Sequence, residues 1–399
     1  MLKIIILTAL SLLLVSPAFA QFVGSRNSSM GGVGVASSDF LNAGFINPAL
    51  LTQYNPDTDD DWGILLTSID VNVSDQDEFV DAIETFAETF DRINDEIDMG
   101  SFPSQVDLDS LAADLQALNN RVANIGFGTG FSIGVPSASF GAAIVVSGNL
   151  AMDVAPIIDP NDVTNIQDSF GDPDLPDLNS EVTILAAGSV EVGLAMAREF
   201  QWNGRALSIG ITPKIQSFEV FNYGVTISDA DTATDDFDGD SYRNDETFFN
   251  VDLGATLELS ERLRVGVVIR NAMKNEIDTP TVITPLSPLG KDFTYTVGPA
   301  ASAGIVWRKG AVSLSSDVDL TERSSFDHVD GSQYARVGAE AAWRWAQLRM
   351  GFSHDLQDVR ENLVSGGLGF SPFGVAHVDL GGAVGDETYA ASLSVSLTF

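Results

Sequence analysis

The sequence predicts an all-β transmembrane protein: a 14-stranded antiparallel outer-membrane β-barrel with an N-terminal hatch and an inserted acidic helical hairpin. Three observations predict it. The chain opens with an export signal, its body alternates polar and apolar residues, and its connections alternate between short and long.

Lys3 supplies a positive n-region, Ile4 to Val15 an apolar core, and Ala18-Phe19-Ala20 a small-x-small cleavage site. Residues 1–20 therefore read as a signal peptide of an exported chain from a Gram-negative bacterium. No other segment carries 18 consecutive apolar residues, so no spanning helix is expected. The absence of cysteine removes disulfides and thiolate metal sites. A formal net charge of −36 repels nucleic acid.

Period-two alternation marks strands at 62–73, 125–135, 138–153, 181–199, 205–220, 247–259, 262–273, 293–307, 311–320, 333–344, 347–354, 363–371, 374–383 and 388–399. The final strand ends YAASLSVSLTF, with Leu393, Val395, Leu397 and Phe399 on one face and serines on the other. Short turns, such as Val135-Pro136-Ser137 and Trp202-Asn203-Gly204, alternate with the long segments 74–124, 154–180, 221–246, 274–292, 321–332 and 355–362. Short periplasmic turns and long external loops belong to outer-membrane barrels, which close because lipid tolerates no unpaired strand edge. By that parity Trp62, Trp202, Trp307, Trp343 and Trp345 all fall at the periplasmic end, an interfacial aromatic belt. The expected lipid surroundings are outer-membrane lipid and lipopolysaccharide, and terminal Phe399 resembles the signal read by the barrel insertion machinery.

Residues 21–55 do not alternate and form the hatch, ahead of a barrel over 56–399. Met30-Gly31-Gly32-Val33-Gly34-Val35-Ala36, followed by Asn47-Pro48-Ala49-Leu50, resembles the hatch of FadL-like outer-membrane transporters. Within that superfamily the chain is similar to the barrel-type conjugal-transfer TraF-like proteins. The resemblance implies a 14-stranded barrel that passes hydrophobic, fatty-acid-like compounds, with Gly31, Gly32, Gly34, Asn47, Pro48 and Ala49 shaping the hatch. Glycines permit close approach and proline fixes a bend. A fixed plug and a mobile hatch both fit. A non-transporting scaffold linked to conjugal transfer is the alternative function.

Over 74–124 the period changes. Phe79, Ile83, Phe86, Phe90, Ile93 and Ile97 lie on one helical stripe, as do Leu108, Leu111, Leu115, Leu118 and Val122. Asp75 or Asp77 is placed to cap the first helix. This hairpin is expected outside the cell as a lid over the barrel mouth. Alternatively Phe79, Phe86 and Phe90 border an apolar external surface, or the hairpin docks a protein partner.

Asp236, Asp238 and Asp240 lie in a carboxylate-dense loop that suits Ca²⁺ in chemistry but not in calcium-loop spacing. His328, His354 and His377 form no ligand pair at helical spacing. No nucleophile motif stands out, so catalysis and cofactors are not expected; His354-Asp355 is the one pair that a barrel hydrolase would use. Glu191, Lys214, Asp252, Arg264, Arg270, Asp317, Arg336, Glu340, Arg344 and Asp379 take lumen-facing positions, where pairing is expected.

Overall fold

The computed structural model describes residues 24–53, 61–76, 78–119, 121–228, 239–323, 326–327 and 331–399. Its strands are β1 (Gly63–Gln76), β2 (Val122–Val135), β3 (Gly141–Ile157), β4 (Glu181–Trp202), β5 (Arg205–Thr226), β6 (Arg243–Ser260), β7 (Leu263–Arg270), β8 (Asn275–Asp278), β9 (Thr294–Val297), β10 (Ala300–Lys309), β11 (Val312–Asp319), β12 (Tyr334–Trp343), β13 (Ala346–Asp355), β14 (Leu363–Phe370), β15 (Ala376–Val384) and β16 (Thr388–Thr398). All but β8 and β9 close into one antiparallel barrel of 14 strands in sequence order. β1 meets β16 from Gly63↔Thr398 to Ser74↔Thr388, so no strand edge stays open. Among the described residues no helix is long and apolar enough to cross a membrane.

The alternation sorts into two faces. On β5, Ile209, Ile211 and Ile215 point outward and are exposed, whereas Ser208, Thr212, Lys214 and Gln216 point inward and are buried. The β4–β5 turn places Asn203 at φ 51° and Gly204 at φ 75°, the two successive positive φ values that a tight hairpin needs. Trp62 precedes β1, Trp202 ends β4, Trp307 lies near the end of β10, Trp343 ends β12 and Trp345 sits in the next turn. All five therefore ring the short-turn end. Trp62 stacks on Phe399 at 4.6 Å, holding the two chain ends of the barrel together.

One predicted strand is two. The run 293–307 breaks at Gly298-Pro299. β9 leaves the wall there and pairs with β8, which the alternation had not marked, while β10 continues in the barrel. Phe293, Tyr295 and Val297 are buried against Phe218, Val220, Leu185 and Ala187, which face inward on β5 and β4. Asn222 fastens this lid by donating to the carbonyls of Pro280 and Lys291 at 2.9 and 3.0 Å. The mouth is thus covered on the β4–β6 side by β8–β9.

The helical hairpin is not that lid. Helices α3 (Phe79–Asp98) and α4 (Gln105–Ala117) pack with α5 (Pro160–Asp168) on the outer face of the wall. On β3, Asp153 lines the lumen while its neighbours Met152 and Val154 join the helical core, so that core lies on the opposite face. Phe79 and Phe86 are fully buried there and Phe90 is half-buried. These three residues are hairpin core, not an open apolar surface. Each buried side chain of this size contributes about 1.5–3 kcal/mol, which outweighs an exposed acidic face in fixing the hairpin.

Asp75 accepts the Val80 N–H at 3.0 Å, at the start of α3; Asp77 lies outside the described residues. α4 begins with a reciprocal cap: the Asp107 N–H donates to the Ser104 hydroxyl at 3.2 Å, and the Ser104 N–H to the Asp107 carboxylate at 3.3 Å. The Ser104 hydroxyl holds the Asp107 carboxyl below its usual value, with Arg92 assisting at 3.1 Å. A lowered folded pKa contributes stability that is present above the unfolded value, about 3.9, and lost as pH falls through the folded one. Ser104→Ala should therefore cost about 1 kcal/mol at neutral pH. Amide exchange across 105–117 checks it: protection should fall in the variant at pH 7, and the difference should shrink below about pH 4.

Candidate functional site: a seated plug under a lumen cavity

Residues 24–53 fill the short-turn half of the lumen through α1 (Ser25–Ser28), α2 (Phe40–Ile46) and a 3₁₀ turn at Pro48–Thr52. Gly31 and Gly32 turn the chain at φ 74° and 81°. Asn47 is fully buried; its amide donates to the Val35 carbonyl at 2.7 Å and its oxygen accepts the Ala49 N–H at 3.1 Å, capping the turn that Pro48 opens. The Gly34 and Val35 N–H groups both donate to Asp317 on β11, at 2.7 and 2.9 Å. Ser28 donates to Asp70 on β1 at 2.7 Å, and the Gly31 N–H to Ser365 on β14 at 2.8 Å.

The wall is recessed to receive this segment. A Cβ at Gly210 would lie 2.4 Å from the Pro48 and Ala49 backbone, one at Gly351 2.1 Å from Met30, and one at Gly266 2.6 Å from the Val35 carbonyl oxygen. The hatch glycines were legible as a motif; their counterparts in the wall were not, because a strand glycine alone does not reveal what approaches it.

Charges tie plug to wall. Arg26 makes two 3.0 Å hydrogen bonds to Glu340 on β12. Glu340 also accepts from Arg349 on β13 at 2.7 Å, and Arg349 contacts Asp379 on β15. Asp319 accepts from Arg323 at 2.7 Å and from Arg336 at 3.0 Å through both its oxygens. Lys214 bridges Glu191 and Asp252 at 3.0 and 3.1 Å, and Arg264 contacts Glu258. The lumen positions expected from alternation are thus occupied as charges, with one correction. Arg344 lies exposed in the β12–β13 turn, because β12 ends at Trp343. Asp319 lies on the polar face that the alternation of β11 gives it; Asp70 and Arg349 share the inward parity without being among the expected lumen charges, and Arg26 lies in the plug, where no periodicity points to it.

Above the plug lies a cavity of about 470 Å³. Gly31, Gly32 and Val35 of the plug border it below; Arg323, Tyr334, Arg360 and Thr388 border it toward the long loops. Most of its lining residues carry a hydroxyl, an amide or a charge, but carbon supplies most of the surface they expose to it.

The remaining candidates do not assemble a reactive site. Asp236, Asp238 and His328 lie outside the described residues, and Asp240 is exposed in a 3₁₀ turn. Among the described residues no group of three metal-ligating side chains exists. His354 contacts Asn362 at 2.6 Å, while Asp355 is occupied by the N–H groups of Gln333, Val359 and Arg360. His377 is held between Ser371 and Thr398.

A closed barrel of 14 antiparallel strands with an N-terminal segment inside its lumen is an outer-membrane-type barrel fold. The chain belongs to the family described as F plasmid transfer operon, TraF, protein, whose model matches residues 44–319. No curated protein matches the sequence. Among solved structures, the Pseudomonas putida toluene transporter TodX superimposes with a TM-score of 0.55 at 11% identity, covering 95% of this chain and 99% of that one. A Pseudomonas aeruginosa FadL homologue gives 0.53 at 12% identity, over 96% and 100%. At such identity the likeness is one of fold, and it is a FadL-like fold.

Proposed function

We propose that this chain is an outer-membrane barrel for passive uptake of small hydrophobic, fatty-acid-like solutes past an N-terminal plug. The carrying observation is the cavity of about 470 Å³ between the seated plug and the long-loop rim, a stopping place for one small molecule. The FadL-like fold supports the solute class, as does the toluene transporter among its neighbours. Export by the 1–20 signal and insertion through Phe399 bring the barrel to the outer membrane, with the short turns in the periplasm. Protein-dependent entry of radiolabelled oleate into cells tests the reading; no difference between cells with and without a correctly inserted barrel would overturn it.

The alternative is a scaffold associated with conjugal transfer. It rests on the tip of the hairpin, where Met99, Phe102 and Val106 are exposed among carboxylates. Phe102→Ser with Val106→Ser should leave oleate uptake unchanged and abolish a scaffold role.

A further inference from the structure

Arg270 ends β7 on the inward face and is 6% exposed. It borders the large cavity and also a second one of about 60 Å³, between Gly44 and Phe45 of the plug and the wall of β3 to β6. Arg26, Lys214, Arg323, Arg336 and Arg349 each have a carboxylate within salt-bridge distance. Arg270 has none among the described residues, and its Nε meets no acceptor. The acidic groups nearest in charge, Asp319 and Asp252, are already engaged by Arg323, Arg336 and Lys214. A buried guanidinium left without an anion is costly, and its planar fork is shaped for a carboxylate.

Two further buried atoms on the same cavity lack partners: Oδ2 of Asp70 and Oδ1 of Asp317, both acceptors. Hydroxyls line the same cavity, including those of Ser302, Ser353 and Ser392. A purely apolar guest would satisfy none of these groups. An acid bearing several hydroxyls would satisfy all of them, with its carboxylate on Arg270 and its O–H groups donating to the two aspartates.

We propose that the lumen cavity binds a small hydrophilic hydroxy acid, with Arg270 as its anion-receiving residue. This goes beyond the uptake of apolar solutes, and its test does not depend on oleate. Full-length protein in detergent micelles is titrated calorimetrically with gluconate, with uncharged glucitol and with inorganic phosphate. Gluconate should bind saturably, and glucitol and phosphate each at least about tenfold more weakly, since one group supplies the charge and the other the hydroxyls. Arg270→Gln should weaken gluconate by at least about tenfold while the heat-modifiable migration of the barrel is unchanged. If that variant fails to assemble, Arg270→Lys, which keeps the charge and loses the fork, should give a smaller weakening. No gluconate binding, or binding unaltered by the variant, overturns the site. Phosphate binding as tightly as gluconate overturns the hydroxyl recognition. Oleate uptake without gluconate binding would retain the transport reading and remove this one.

Discussion

A leucine at Gly351 should unseat the plug and turn a closed barrel into a conducting one. Gly351 lies mid-strand on β13 and faces inward. A Cβ there would fall 2.1 Å from the Met30 carbonyl carbon and 2.2 Å from the Gly31 nitrogen. Both are backbone atoms, so no rotamer relieves the overlap. Overpacking a close-packed site costs about 1–3 kcal/mol or more, which is about fivefold or more in the ratio of seated to unseated plug. The wall itself should survive, because every barrel strand keeps both neighbours. Gly366, where the nearest atom to an added Cβ is 3.6 Å away, is the control. In planar bilayers, Gly351→Leu should show open-channel steps at least about fivefold more often than wild type, and Gly366→Ala should not. Quiet traces from a correctly assembled Gly351→Leu barrel would mean that the plug yields sideways without opening the lumen.

The barrel was legible because lipid and lumen impose opposite demands on alternate residues, and period two survives any change of side chain. That signal weakens where both faces of a strand are covered by protein. On β4, Val182 and Ile184 pack outward on the helical hairpin while Leu185 and Ala187 pack inward on the lid, so the apolar residues run together. The run through 293–307 misled for the converse reason. Phe293, Tyr295 and Val297 alternate in order to bury one face of a small lid, whereas Ala303, Ile305 and Trp307 alternate in order to face outward. Pro299 marks the join, since it cannot donate to a ladder. The helical stripes were equally legible, but periodicity names a buried face and not what buries it. That is why the hairpin was expected over the mouth and lies instead against the wall. The charges of the lumen were readable as inward positions; their pairing was not, since Arg26 meets Glu340 across 314 residues of sequence.

That pairing sets the second large effect. Glu340 is the one carboxylate shared by Arg26 of the plug and Arg349 of the wall, and all three side chains are largely buried. Among the described residues, removing it leaves Arg26 hydrogen-bonded only to the Ser37 carbonyl, at 2.9 Å, and Arg349 paired only with Asp379. Breaking a buried pair from one side typically costs about 3–5 kcal/mol, because the surviving charge stays desolvated. Glu340→Ala should reach that range in urea titrations followed by tryptophan fluorescence. Arg26→Met should cost less, since Glu340 then keeps Arg349 as its partner. Joining the two changes should recover part of the loss, because the stranded guanidinium of the plug is gone. Screening is weak at this depth, so raising the salt should leave the difference between Glu340→Ala and wild type nearly constant. Equal costs for the two single variants, with no recovery in the double, would show that Arg26 contributes packing alone and that the charge network does not hold the plug.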